Sequence, residues 1–304
     1  MFRIDAANPW SPKMVGQPAD TLGEFPVSVT YSQKLKTGMC IVRLLEWSRL
    51  IHGAACVLNG GARAGVSCFR ADPLHGLQAV GPLRSLEPTF SQTTPANGPP
   101  NTASEIIFNP DSSAVFALVK GNAGTTPVTP GYIIGWPVQH GTVSTKSIVN
   151  KIADISMEFG AVFLSQDRLF VADPSYGASI VSISSGLKVT EEVHTVVPGQ
   201  IAICWAAEDP SLGNAYGIDA GQNMIYTFDA GTGALKGSIS VTTIGNATTN
   251  GGLFDSAVNN NRMYSLAKTP GIVVTDLVQG QQQQYLDLTS LGSRQGWMGM
   301  ALYA

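Results

Sequence analysis

The side chains able to do chemistry in this chain are few and scattered. Four histidines, His52, His75, His140 and His194, stand far apart, and no HxH or HExxH spacing offers zinc a site. No metal is therefore expected, although calcium held by Asp20, Glu24, Asp173, Asp219 and Asp255 is a weaker alternative, since hard cations accept oxygens from several loops. No Gly-x-Ser-x-Gly elbow or phosphate loop is present. What remains is a set of acids and bases, Glu24, Glu105, Glu158 and His194, and a set of cations, Arg63, Lys120, Lys268 and Arg294. An acid or base beside a cation can move a proton while an anion is held, and that work needs no cofactor.

These residues must be positioned by a repeating unit. A strand, a polar turn, a second strand and a glycine recur in IIFNPDSSAVFALVKG (Ile106 to Gly121), VFLSQDRLFVADPSYG (Val162 to Gly177), ICWAAEDPSLGNAYGIDAG (Ile203 to Gly221) and SAVNNNRMYSLAKTPG (Ser256 to Gly271), with an interrupted copy at Val27 to Gly60. Two further β-like runs lie between copies, so the unit is a four-stranded antiparallel blade and the fold class is an all-β, single-domain β-propeller. Met1–Asp5 and Lys13–Gly16 read as the third and fourth strands of a partial blade, and Gly296–Tyr303 as a closing innermost strand. That makes about six visible blades, which predicts a seven-bladed propeller lacking its N-terminal portion, with six tightly closed blades as the alternative. The turns Asn109–Ser113 and Asp229–Gly233 carry local chemistry: Asn and Asp bond nearby backbone while Gly supplies positive φ.

The interruption spans residues 38–54. It has neither strand alternation nor turn residues, and without it the first repeat has the length of the others. Codons for Gly38-Met39-Cys40 can contain GTATGT, those for Arg49-Leu50-Ile51 CTAAT and those for Ala54-Ala55 CAG, so the segment reads as a retained intron, with a surface helix as the alternative.

Composition narrows the class. With 304 residues, 13% charged and a net charge of −3, the chain shows no basic stripe for nucleic acid, and no apolar run reaches the roughly 18 residues of a membrane helix. No signal peptide is visible at the start, and a monomer is expected. Cys56 and Cys68 flank a hairpin centred on Ala62, which predicts a disulfide, with two reduced buried thiols as the alternative; Cys204 reads as a core thiol. Asn246-Ala247-Thr248 is a glycosylation acceptor.

Alternating strand polarity gathers the loops before each innermost strand, and those joining second to third strands, on one face, where function is expected. Glu24, Glu105, Glu158 and His194 lie in the first set or near it; Arg63, Lys120 and Lys268 lie in the second. Each has a plain alternative. Glu24 could anchor its loop through backbone amides, Glu105 and Glu158 could be solvated rim residues, His194 a solvated residue of an edge strand, and Trp205 core rather than a substrate platform.

The run Val15 to Val29, the segments Ala55–Gly61 and Gly65–Phe69, Phe159–Leu164 and Cys204-Trp205 resemble the fungal secreted proteins called 3-carboxymuconate cyclase-like, of the seven-bladed propeller lactonase superfamily. The resemblance implies secretion, no cofactor, and action on a small carboxylated lactone or its open acid. Such cyclisation adds a carboxylate across a conjugated double bond, so Arg63, Lys120, Lys268 and Arg294 would hold carboxylates and Glu24, Glu105, Glu158 or His194 would carry the proton. The rival reading is a non-catalytic secreted or cell-surface glycoprotein that binds protein or carbohydrate through the propeller face.

Overall fold

The computed structural model describes residues 2–5, 8–35, 53–243, 251–293 and 296–302. Within these the chain is almost wholly β, with one 3-10 turn at Thr289–Leu291. Residues 38–52 of the expected insert, Asn246 and Arg294 lie outside the described residues. Gly53 and Ala54, assigned from sequence to that insert, begin a strand.

Two compact units can be distinguished, residues 1–119 with 133–150, and residues 120–132 with 151–304. The first holds a two-stranded ribbon and two blades. The ribbon is β1 (Phe2–Asp5) with β2 (Asn8–Met14). The first blade is β3 (Glu24–Ser32), β4 (Gly53–Gly60) and β5 (Gly65–Asp72), with an outer strand in two pieces, β6 (Gly76–Ala79) and β7 (Arg84–Ser85). The second is β8 (Ala103–Phe108), β9 (Ala114–Val119) and β10 (Tyr132–Gln139), again with a divided outer strand, β11 (Thr142–Val143) and β12 (Ile148–Asn150).

The second unit holds three blades in plain sequence order. They are β13 (Ala161–Phe163) to β16 (Val189–Val196) through β14 (Arg168–Asp173) and β15 (Gly177–Ile183); β17 (Ile203–Asp209) to β20 (Leu235–Ser240) through β18 (Asn214–Asp219) and β19 (Met224–Asp229); and β21 (Leu253–Asn259) to β24 (Gln281–Asp287) through β22 (Arg262–Ala267) and β23 (Gly271–Asp276). Their inner strands are neighbours, β13 beside β17 and β17 beside β21.

Among the described residues five blades are present, not six or seven. The difference lies at the chain's ends. A run of residues becomes a strand of a blade only when its N–H and C=O groups find a ladder partner. The ribbon β1–β2 pairs only with itself. Residues 296–302 form no strand, and the Met300 N–H donates instead to Asp255 Oδ2 (2.8 Å).

Second strands are sealed on both faces, which explains their unbroken apolar runs: every residue of Ala114–Val119 is buried. Outer strands alternate, as in Val189–Val196. Apolar side chains of successive blades interdigitate in the second unit, where Phe170 and Phe228 meet at 5.1 Å between ring centroids. In the first unit the seam is partly polar: Ile106 and Phe108 N–H groups donate to the hydroxyls of Ser28 and Thr30 on β3. Arg84, almost fully buried, clamps the two blades by donating to the carbonyls of Val143 and Ser144. Turns follow local chemistry. Asn109 Oδ1 accepts from Ala114 N–H, and Asp229 Oδ1 accepts from Gly231 and Thr232 before Gly233 takes a φ of +74°. Cys56 and Cys68 face each other on β4 and β5 and are joined by a disulfide.

Candidate functional site

A polar residue recurs where each second strand ends, and in three blades it is spent on the backbone of the loop before the inner strand. In the first blade the buried Asn59 donates from Nδ2 to the Thr21 carbonyl (3.2 Å). In the third, buried Asp173 accepts at Oδ2 from the N–H groups of Ser156 (3.0 Å) and Met157 (2.7 Å). In the fourth, buried Asp219 accepts from Ile201 and Ala202 (both 2.9 Å). These are staples: without them, backbone groups of the loops would lose their partners. Calcium binding by Asp20, Glu24, Asp173, Asp219 and Asp255 is therefore not supported, and among the described residues no group of three His, Cys, Asp or Glu could hold a metal.

Lys120, which directly follows β9, breaks this pattern. Its side chain is buried, and its ammonium lies 4.2 Å from the centroid of the Phe159 ring. Among the described residues no carboxylate approaches it within salt-bridge distance. Burial pulls its pKa down to about 8, an effect opposed by the nearby Cys204 thiol. An ammonium on a ring face is held by the ring's quadrupole, a weaker compensation than a carboxylate would provide.

Glu158 sits immediately before Phe159 and is fully buried. Burial drives its pKa well above the usual carboxylate range; its own N–H opposes the shift, the Asp173 carboxylate adds to it, and the Gly121 N–H opposes it. The two dipeptides thus interlock, with Lys120 on Phe159 and Gly121 N–H toward the Glu158 carboxyl. The shifts favour the acid form of Glu158 and weaken the hold of Lys120 on its proton, the directions wanted of a proton donor beside a cation. Cys204, also buried, has its thiol pushed up to about 12, which removes it as a nucleophile.

From Phe159 an aromatic row crosses the three inner strands of the second unit. Phe159 and Trp205 lie 5.1 Å apart, and Trp205 and Phe254 another 5.1 Å, the latter edge to face. All three are half-buried. Trp205 is therefore neither plain core nor isolated. The row gives a flat, partly accessible strip with a cation at one end.

The other expected site residues fall elsewhere. Glu24 opens β3 and anchors its loop: its Oε2 accepts from the Ala62 N–H (3.1 Å), the Arg63 N–H (3.4 Å) and the Thr94 hydroxyl, and these donors hold its pKa below the usual value. Arg63 is exposed and donates to the Leu22 carbonyl (2.8 Å). Glu105 is half-buried within β8, opposite Leu118, rather than in a loop. Lys268 is exposed at the end of β22. His194 lies on the outermost strand β16, bonded to Glu191 (3.0 Å) and stacked on Tyr176 at 3.9 Å. Glu158 is not a solvated rim residue, because the loop preceding β13 is drawn inward by Asp173. Of the eight expected acids, bases and cations, the structure joins Glu24 to Arg63 through the Arg63 N–H, and it places Lys120 on the ring of Phe159, the residue that follows Glu158. The aromatic row could have been found from sequence, since an aromatic residue stands within two or three residues of the start of the inner strand in three successive repeats.

No protein-family model matches the chain, and no curated protein matches it. Solved structures do. A chain in the crystal structure of a nidogen/laminin complex has a TM-score of 0.52 and 12% identity, covering 78% of this chain and 76% of that one. A chain in the crystal structure of a mitotic checkpoint complex has a TM-score of 0.53 and 13% identity, covering 94% of this chain and 74% of that one. At such identities the likeness shows the fold alone, and that fold is the β-propeller.

Proposed function

We propose that the protein is a cofactor-free, lactonase-like or 3-carboxymuconate cyclase-like propeller whose reacting pair is Lys120 and Glu158. The observation that carries this reading is a buried lysine with no carboxylate partner among the described residues, placed at the end of the Phe159–Trp205–Phe254 row and near a glutamic acid whose pKa burial raises. Burying an ammonium that has no carboxylate partner among the described residues, and a desolvated acid, costs stability, and such costs are characteristically retained where function needs perturbed groups.

The chemistry follows from the residues. A planar conjugated carboxylate lies on the aromatic strip with one carboxylate drawn to Lys120. A second carboxylate oxygen bonds to the far carbon of the conjugated double bond, and the π pair moves to the carbon α to the held carboxylate. Glu158 delivers its proton there, closing the lactone, and is reprotonated from water; ring opening runs the same steps backwards. Lys120 stabilises the charge that develops beside it. The Cys56–Cys68 disulfide supports an oxidising, extracellular setting for the protein.

The test is to follow loss of diene absorbance with 3-carboxymuconate, and its return from the corresponding lactone. Lys120→Met is expected chiefly to raise KM, and Glu158→Gln to lower kcat by about a hundredfold or more. Turnover that survives in both variants, or no turnover of any carboxymuconate or lactone by the wild type, overturns the reading.

A further inference from the structure

The outward face of the last blade carries a groove of about 700 Å3 that the proposed chemistry does not use. Its lining is fixed by register. Arg262 stands opposite Asp276 and Asp276 opposite Gln281; Tyr264 stands opposite Val274 and Val274 opposite Gln284. These residues share one side of the sheet, whereas Met263 and Val273 point into the core.

The groove is rich in hydrogen-bonding groups and nearly neutral. Arg262 Nε donates to Gln283 Oε1 (3.0 Å), and Gln283 Nε2 donates to Asp276 Oδ2 (2.8 Å), so the one cation is balanced through an amide relay by the one carboxylate. The strand that carries the amides is locked from behind. Gln282 accepts from the Thr242 N–H (2.7 Å) and donates to its carbonyl (3.1 Å), which ties β24 to the preceding blade. The glutamines of this run therefore divide their work: Gln282 is scaffold, Gln283 orients Arg262, and Gln284 presents its amide at the surface beside Tyr264.

We infer that this face is a binding site for a neutral oligosaccharide. A pyranose ring offers an apolar C–H face and a rim of hydroxyls. The exposed lining is mostly polar: Gln284, Gln283 and Arg262 supply paired donors and acceptors for the hydroxyl rim, held in place before binding, and the half-buried Tyr264 adds the edge of one ring. A strongly charged ligand finds no uncompensated opposite charge here.

The test titrates the full chain by calorimetry, with saturation-transfer NMR, against hexaoses of β-1,3-glucose, β-1,4-glucose, α-1,4-glucose, N-acetylglucosamine and mannose. Saturable binding of at least one hexaose is expected, weakened about tenfold by Tyr264→Ala and by Gln284→Ala, and unchanged by Lys120→Met. Gln284 is exposed, so its variant separates loss of the site from loss of the fold. Absence of saturable binding to all five, binding that survives both groove variants, or preference for a poly-aspartate peptide over every hexaose would overturn the inference.

Discussion

Glu24 and Glu158 stand at comparable points of two blades, each beside the start of an inner strand, and the fold drives them in opposite directions. Around Glu24 the loop supplies donors: two backbone N–H groups and the Thr94 hydroxyl hold it ionised. Around Glu158 the loop supplies burial and a neighbouring carboxylate, Asp173, which push its pKa up. The lesson is that position in a repeat does not set a residue's chemistry. In both blades the residue ending the second strand staples the loop; the difference is that Asn59 does so with a neutral amide, whereas Asp173 does so with a carboxylate whose charge acts on the acid.

Asp173 therefore offers the sharpest way to break the contrast. Asp173→Ala leaves the buried Ser156 and Met157 amides without their acceptor, which is expected to cost about 3 kcal/mol in urea denaturation. It should also lower the Glu158 pKa, because a negative neighbour is gone. Asp219→Ala removes the equivalent staple from the next blade and should cost a similar amount while leaving the Glu158 titration unchanged. If both variants shift that titration equally, the local account of Glu158 fails.

Lys120→Met is the next effect in size. A methionine fills much of the same space against Phe159 and removes a buried charge, so stability at pH 7 should rise by on the order of 2 kcal/mol. The sign has a pH signature. The folded pKa of Lys120 is depressed to about 8, so between there and the ordinary lysine range the unfolded chain binds more protons, and stability rises with pH. The variant should lose that slope, measured as Tm against pH.

Glu158 has the opposite slope. Its folded pKa lies above its unfolded one, so its contribution is fully present below the ordinary glutamate pKa and is lost as pH rises toward the folded value. Glu158→Gln should flatten the wild-type decline and raise Tm at neutral pH. A steeper decline in the variant would show that Glu158 is ionised in the folded protein. Cys204 gives a smaller readout of the same burial: with its thiol near 12, it should resist alkylation by iodoacetamide at pH 8 until the chain is unfolded.

Much of this fold is legible in the sequence because a strand that pairs on both sides and packs on both faces has to be a continuous apolar run, and a hairpin has to be closed by Asn, Asp or Gly. Ala114–Val119 and the turns at Asn109 and Asp229 show both. Blade number is less legible, because Phe2–Asp5 and residues 296–302 look like strands by composition and differ only in what they pair with. The first hairpin bears on residues 38–54. Tyr31 faces Ala55, and without that segment six residues, 32–37, would join them, as six residues, 109–114, join Phe108 to Val115. A tryptic peptide linking Thr37 directly to Ala55 would support the intron reading, and abundant peptides from within the segment would refute it. The Lys120–Glu158 pair was visible only as two members of a list of eight. What singles it out is burial, and burial depends on Asp173 pulling a loop inward, a long-range event that no local pattern encodes.

Glu24→Gln is expected to have the smallest effect, and its smallness carries information. The amide retains an acceptor oxygen for the Ala62 and Arg63 N–H groups and for Thr94, so the loop should keep its shape while losing the charge that strengthens those bonds. Because the folded pKa of Glu24 is lowered, its stabilisation is present above the unfolded value and is lost as pH falls through the folded one. The variant should match wild type in Tm at acid pH and fall slightly below it at neutral pH, the reverse of Glu158→Gln. It should leave kcat unchanged, since Glu24 is engaged by its own loop. A loss of turnover in Glu24→Gln comparable to that in Glu158→Gln would move the chemistry to the first blade and invert the comparison.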